Sequence, residues 1–161
     1  MKKKRILCLI GQLWNGGTER QLYLFLKHLD RECYDAAVLV SGKADGRWVE
    51  PISALGYEIS ELGGKRKLAK FADFRRTVGI FNPDIIFSWS FFTNAFSIAS
   101  YGIPFIGSLR GDLFTAKEQL GFLHWKLSLR PKTFIVNSAS LKSQLISAGK
   151  KENTIHLIDN I

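Results

Sequence analysis

The stretch Ile6 to Leu29, "ILCLIGQLWNGGTERQLYLFLKHL", decides the fold. It opens on a short apolar run, Ile6 to Ile10, with the look of a buried strand, and closes on Leu22, Phe25, Leu26 and Leu29 at the i, i+3, i+4, i+7 spacing of an amphipathic helix. Between the two periods stand Gly16 and Gly17. Glycine loses backbone entropy in an ordered segment and packs nothing, so a pair at a strand-to-helix turn predicts close approach of something to bare backbone.

Working outward, the same alternation repeats. Apolar runs rich in Ile, Val and Phe predict strands at 6–10, 36–40, 57–61, 85–88, 105–108, 133–136 and 155–158. Leu68, Phe71, Phe74, Val78 and Phe81 trace a second helical stripe, and the small and apolar segment 94–101 predicts a helix buried between layers. A helix over about 114–129 carries the rows Leu120-Leu123-Leu127 and Phe122-Trp125-Leu129. A last one runs from Ser138 as N-cap to Gly149 as C-cap. The fold class is α/β: a doubly wound, Rossmann-like, mostly parallel sheet of about seven strands with helices on both faces. No repeat or linker divides residues 1–161, so they read as one domain.

A chain of 161 residues with 46% hydrophobic content can bury a sizeable core. Lys and Arg exceed Asp and Glu by 23 to 14, a net charge of +9, which favours anionic partners: nucleic acid, phosphorylated substrates or acidic lipid. The lead "MKKKR" mimics a signal peptide, but the apolar run stops at Gly11-Gln12, short of the roughly 7–15 residues such a segment needs. Cys8 and Cys33 have neither metal-ligand spacing nor enough partners for a disulfide framework, which predicts reduced thiols and a cytoplasmic protein.

In an open parallel sheet, ligands gather at the carboxyl ends of the strands where the strand order reverses. With the first strand central, the loop Gly11 to Gly17 faces the loop after the fourth strand. The glycine loop is neither a Walker A sequence nor a G-x-G-x-x-G fingerprint. The glycines precede Thr18-Glu19-Arg20-Gln21, a T-x-x-Q capping box that aims the N–H groups around Gly16 and Gly17 into the cleft, with Arg20 assisting on an anion. An ordinary tight turn with a cap fits the glycine spacing equally well.

After the fourth strand, Ser88, Trp89, Ser90, Phe91, Phe92, Thr93 and Asn94 interleave aromatic rings with hydroxyls, a mixture suited to the apolar faces and polar rims of sugars. At the end of the fifth strand Arg110, Gly111 and Asp112 set a guanidinium where it can hold phosphate or carboxylate, the bland alternative being an Arg110–Asp112 ion pair. His28, His124 and His156 have no spacing that pairs them for a metal or a nucleophile, and no metal is expected. Lys65, Arg66, Lys67, Lys70, Arg75 and Arg76 form a solvated face or, as the functional alternative, peripheral contact with an anionic membrane. The separation of these cations from the aromatics argues against nucleic acid.

With those residues in view, the chain resembles the N-terminal domain of the family 4-like glycosyltransferases of the GT-B fold. The segments that carry the likeness are "GGTERQL", "PDIIFSWSFFTNAFSIASYGIPFIGSLRGD", "FIVNSASLKSQLISAG" and the terminal "IHLIDNI". The resemblance implies a two-domain enzyme that moves a sugar, with retention, from a UDP- or GDP-linked donor to a glycan or lipid-linked acceptor in surface polysaccharide or glycolipid synthesis. The nucleotide would be held mainly by a C-terminal domain, so this lobe by itself binds no cofactor and transfers no sugar. Carried over by position, Gly16, Gly17, Thr18 and Arg20 approach the donor diphosphate. Ser88, Trp89, Ser90, Asn94, Arg110, Gly111 and Asp112 line the acceptor side, and Asn137, Ser138 and Asn160 stand at the interdomain cleft and hinge. Many members have histidine near the "SWS" segment or at the fifth strand's end, where this chain has Ser88, Ser90 and Arg110. The alternative is a non-catalytic flavodoxin-like module that binds a nucleotide or phosphorylated ligand. Sugar-nucleotide epimerases of the same fold would need a catalytic carboxylate and histidine that the sequence does not place.

Overall fold

The computed structural model describes residues 2–63 and 67–160, without the side chains of residues 67 and 68. Lys65, Arg66 and the side chain of Lys67, from the expected basic face, lie outside the described residues.

Seven strands make one sheet among the described residues: β1 (Lys4–Ile10), β2 (Tyr34–Val40), β3 (Glu58–Glu61), β4 (Ile85–Ser88), β5 (Phe105–Leu109), β6 (Thr133–Val136) and β7 (Ile155–Leu157). Their order is β3-β2-β1-β4-β5-β6-β7, and every neighbouring pair is parallel. Six α-helices cover them: α1 (Gly17–Lys27), α2 (Val49–Ala54), α3 (Lys67–Phe81), α4 (Leu113–Leu120), α5 (Phe122–Ser128) and α6 (Ala139–Ser147). The doubly wound Rossmann-like sheet expected from the sequence is the sheet observed.

A parallel strand covered on both faces must be apolar on both, which is why β1 reads as a continuous run and not as an alternation. Ile6, Cys8 and Ile10 pack with Leu22 and Leu26 of α1. Leu7 and Leu9 pack on the other side with Phe74 and Val78 of α3. A third cluster joins Phe134 and Val136 of β6 to Leu141 and Leu145 of α6. From β1 the chain winds out to β2 and β3, then returns to β4 and winds the other way, so the switch point lies between β1 and β4. Leu9 pairs with Ser88, bringing the carboxyl ends of these two strands level.

Three elements differ from the sequence reading. Helix α2 was not expected, because six residues with Pro51 in the first turn carry no readable period. The segment expected as a helix over 94–101 is a 3₁₀ stretch, Phe91–Ala99. Its first turn is wound tight by Ser90, whose carbonyl accepts both the Thr93 N–H at 3.0 Å and the Thr93 hydroxyl at 2.7 Å. The long helix expected over 114–129 is two helices, broken at Gly121, whose φ of +74° is a conformation that glycine adopts without strain. The last helix ends as expected. Gly149 has a φ of +89°, its N–H reaches Ile146 at 2.9 Å, and the Lys150 N–H reaches Leu145 at 3.0 Å, closing a Schellman motif.

Candidate functional site

The loops that leave β1 and β4 are tied together. The Ser90 hydroxyl accepts the Gly11 N–H at 3.3 Å, and a Cβ at Gly11 would collide with the Phe92 ring. Any side chain at position 11 would have to displace the Phe92 ring, so glycine lets the β1 loop sit this close to the β4 loop as the rings stand.

Helix α1 begins at Gly17 with Gly16 as its N-cap, so the expected capping box at Thr18 does not form. Glu19 lies against that cap. It stands three residues after Gly16, is buried, and lays its carboxylate in the space that a Gly16 side chain would need. Gly16 is thus covered by the protein itself. Gly17 is not: nothing lies within 4 Å of where its Cβ would be.

Across the switch point, Trp89 is only 3% exposed and packs on Phe87 and Phe25, with ring centroids 4.5 and 5.4 Å away. Burial pushes the Cys8 thiol up to about 12, an effect that the neighbouring Trp89 N–H partly reverses. The Trp89 N–H meets no full hydrogen-bond partner, so its contact with the sulfur is a weak one. Arg110 lays its guanidinium over the Trp89 ring, 4.7 Å from the centroid. One terminal nitrogen donates to the Asn160 side-chain oxygen at 3.1 Å, while Nε is buried with no partner. Burial alone holds this guanidinium at about 10, below its ordinary 12.5, so it remains a cation near neutral pH.

The expected alternative, an ion pair between Arg110 and Asp112, is absent. Asp112 instead caps α4, accepting the Thr115 N–H at 2.8 Å and the Thr115 hydroxyl at 2.9 Å, and accepts a third bond from Gln144 at 3.0 Å. These donors, the Thr115 N–H foremost, hold its carboxyl below the usual carboxylate range.

Two adjoining hollows result. A cleft of about 360 Å³ is walled by Trp89, Ser90, Arg110, Gly111 and Asp112, with Thr18 opposite. A smaller recess of about 160 Å³ is surrounded by Gly17, Thr18, Arg110, Asn137 and Asn160. Thr18 and Arg110 border both, so the glycine turn and the arginine–tryptophan rim lie on the same side of the molecule.

The sequence of the chain decides its family at this point. The model of glycosyltransferase family 4 matches residues 15–161. The chain belongs to glycosyltransferase family 4.

Solved structures agree at the level of fold. The Anabaena protein Alr3699/HepE in complex with UDP and glucose shares 20% identity at a TM-score of 0.72, over 96% of this chain and 44% of that one. The lipopolysaccharide outer core galactosyltransferase WaaB in its apo form shares 12% at 0.74, over 97% and 45%. A putative UDP-N-acetylglucosamine 2-epimerase from Listeria monocytogenes shares 14% at 0.74, over 99% and 46%. The family 4 chain thus spans less than half the length of these structures, and its sheet is that of a GT-B glycosyltransferase domain. No curated protein matches the sequence significantly.

Within this family 4 domain the site residues read from sequence separate into three groups. Gly17, Thr18, Trp89, Ser90, Arg110, Gly111, Asp112, Asn137 and Asn160 border the two hollows. Ser88 and Asn94, expected on the acceptor side, lie fully buried inside the fold. Ser88 bonds the Thr93 hydroxyl at 2.7 Å, and Asn94 spans Ser108, accepting its N–H at 3.2 Å and donating to its carbonyl at 3.0 Å. They hold the β4 loop against β5. Gly16 is covered by Glu19, Arg20 is exposed and borders neither hollow, and Ser138 caps α6 by accepting the Leu141 N–H at 3.3 Å. Sequence reading missed Thr115 and Gln119, which face the cleft from α4. The spacing Asp112-x-x-Thr115 is a cap pattern that could have placed that helix. Among the described residues no group of three or more His, Cys, Asp or Glu could hold a metal ion.

Proposed function

We propose that this domain is the acceptor-side lobe of a two-domain glycosyltransferase that moves a sugar from a UDP- or GDP-linked donor to a glycan or lipid-linked acceptor. Its place in this reading is the cytoplasm, at the inner face of a membrane, in the building of a surface polysaccharide or glycolipid. The observation that carries the proposal is Arg110, a half-buried cation with no carboxylate partner among the described residues, standing at the recess formed by Gly17, Thr18, Asn137 and Asn160.

When the bond from the sugar C1 to the diphosphate breaks, negative charge grows on the departing phosphate oxygen. Donors fixed in advance where charge develops lower the barrier without having to reorganise. The N–H groups at the start of α1, the Thr18 hydroxyl and the Arg110 guanidinium are such donors, and the open space at Gly17 lets a phosphate approach them. Among the described residues the recess is bordered by no carboxylate or imidazole. In the retaining course that the family resemblance implies, the leaving phosphate oxygen takes the proton of the acceptor hydroxyl as the new C1–O bond forms on the same face. The nucleotide itself is assigned to a second lobe, a reading supported by relatives more than twice as long as this chain.

Product analysis of the complete enzyme tests this. Incubation with UDP- and GDP-sugars and a membrane extract should release the nucleoside diphosphate in step with sugar incorporation, and the 161-residue chain alone should release none. A nucleotide sugar epimerised at C2 and otherwise intact would favour the epimerases that share the fold. Binding of the nucleotide by this chain with no turnover in any context would favour the flavodoxin-like module.

A further inference from the structure

We infer that a second, apolar groove beside the cleft binds the hydrocarbon chain of an anionic amphiphile whose head group lies in the cleft. This rests on the acceptor reading above for its biological role. The groove measures about 480 Å³ and is lined chiefly by Phe71, Phe92, Phe96, Leu120, Leu123 and Leu127. It exists because Gly121 breaks the helix. A continuous helix would carry the row Leu120-Leu123-Leu127 along one face into the core. After the break, α5 turns away, Leu123 stands 73% exposed and Phe122 60% exposed, and the row becomes one wall of an open slot. Exposed apolar side chains gathered around a concave surface mark a binding site more often than a scattered Leu or Phe does.

Two features name the occupant. The first is continuity with the cleft. Phe91 borders the cleft and Phe92 the groove, so one turn of backbone divides them. Helix α4 serves both, with Thr115, Ala116 and Gln119 facing the cleft and Leu120 the groove. A molecule with its polar end near Arg110 can therefore lay an attached chain over this divide. The second is charge. No carboxylate borders the groove among the described residues, and the charged group there is Lys70, which donates to the Ser41 carbonyl, a neutral acceptor. Lys126 stands beside Phe122, 4.8 Å from its ring centroid. An apolar slot with Lys70 in its lining, Lys126 beside one of its rings and no carboxylate among the described residues fits the acyl or isoprenyl chain of a phosphorylated lipid. It fits an apolar protein segment less well, since that would leave the cations without counter-charge.

The test uses alkyl phosphates of eight, ten and twelve carbons, below their micellar concentrations, titrated into the 161-residue chain. Each methylene buried should tighten binding by about fourfold. Leu123→Glu and Phe122→Glu, both at exposed positions that the fold tolerates, should abolish the chain-length dependence. Ile80→Glu, an equally exposed apolar site on α3 away from the groove, should leave it unchanged. Arg110→Met, which removes the cation at the head-group end, should erase the preference for dodecyl phosphate over neutral dodecyl maltoside. Affinity independent of chain length, or unchanged in Leu123→Glu, would overturn the inference. So would binding to anionic phospholipid vesicles without binding to the monomeric amphiphiles, which would make this face a membrane-surface contact only. A concentration-dependent dimer broken by Leu123→Glu, with no alkyl dependence, would assign the groove to a second copy of the chain. Because the readout is binding and not transfer, a negative result leaves the glycosyltransferase reading standing, and a failed transfer assay leaves the groove standing.

Discussion

The Arg110 guanidinium lies over the Trp89 ring at 4.7 Å, and among the described residues no carboxylate answers its charge. A ring face partly offsets the desolvation of a half-buried cation, by about 0.5–2 kcal/mol, and the N–H groups not spent on Asn160 can meet an incoming anion. The domain therefore holds a charge whose natural partner is a ligand. The same reasoning separates stability from function at this residue. Arg110→Met should leave the folded domain about as stable as before, because a half-buried charge without an ion-pair partner among the described residues is replaced by an apolar chain of similar length. In the complete enzyme the same change should lower donor turnover by about a hundredfold. Urea unfolding and steady-state kinetics on one variant read both halves, and a marked loss of stability would mean that the arginine holds the fold.

Asn94 behaves in the opposite way. Its side chain satisfies both the N–H and the carbonyl of Ser108 in the buried centre of β5. Asn94→Ala leaves both without a partner, at a cost of about 2–6 kcal/mol, since each buried unsatisfied group costs about 1–3 kcal/mol. Hydrogen exchange at the Ser108 amide should accelerate. An effect on acceptor KM with no change in stability would restore Asn94 to the binding surface.

Asp112 gives the domain an acid-sensitive joint. Its three hydrogen bonds fasten the start of α4 and tie it to Gln144 of α6, and they favour the carboxylate over the acid. With the folded-state value held below the ordinary 3.8, this contribution is complete above about pH 4 and is lost as the pH falls through the folded value. The difference in melting temperature between the wild type and Asp112→Ala should be constant from neutral pH down to that region and shrink below it. A difference that instead grows on acidification would contradict the cap.

The two cysteines should label in sequence. Cys33 is exposed, with Asp30 raising its thiol value by hydrogen bond and by charge, so it should react in the native state but slower than a free cysteine at the same pH. Cys8, fully buried and pushed up to about 12, should react only after denaturation. Mass spectrometry of the alkylated chain should show one adduct before urea and two after it. Two adducts on the native chain would mean that the Trp89 layer opens readily.

Much of this architecture is legible in the sequence because it rests on periods. Strands buried on both faces appear as apolar runs, and α1 and α3 announce themselves by stripes of Leu and Phe. What escapes is set by pairing across distance. Nothing local says that Asn94 turns inward to a strand fourteen residues on, or that Arg110 meets Asn160 fifty residues later. The helix start was misplaced because Thr18 is the commoner cap residue, whereas the cap is Gly16, two positions back, with Glu19 folded over it. Gly121 shows the limit of a periodic reading. Its apolar rows fit one long helix, yet a single positive φ splits them and opens the groove.

The open space at Gly17, which this domain leaves unfilled, is where a donor phosphate is proposed to enter. The most direct measurement is the kcat/KM for the nucleotide sugar of the complete enzyme carrying Gly17→Leu. A Cβ there meets nothing within 4 Å and opens onto the recess, so the fold should be unaffected. Transfer should nevertheless fall by about a hundredfold, the scale of losing one preorganised donor to developing charge. Wild-type kinetics in a normally folded Gly17→Leu enzyme would contradict the claim that the bare start of α1 receives the phosphate.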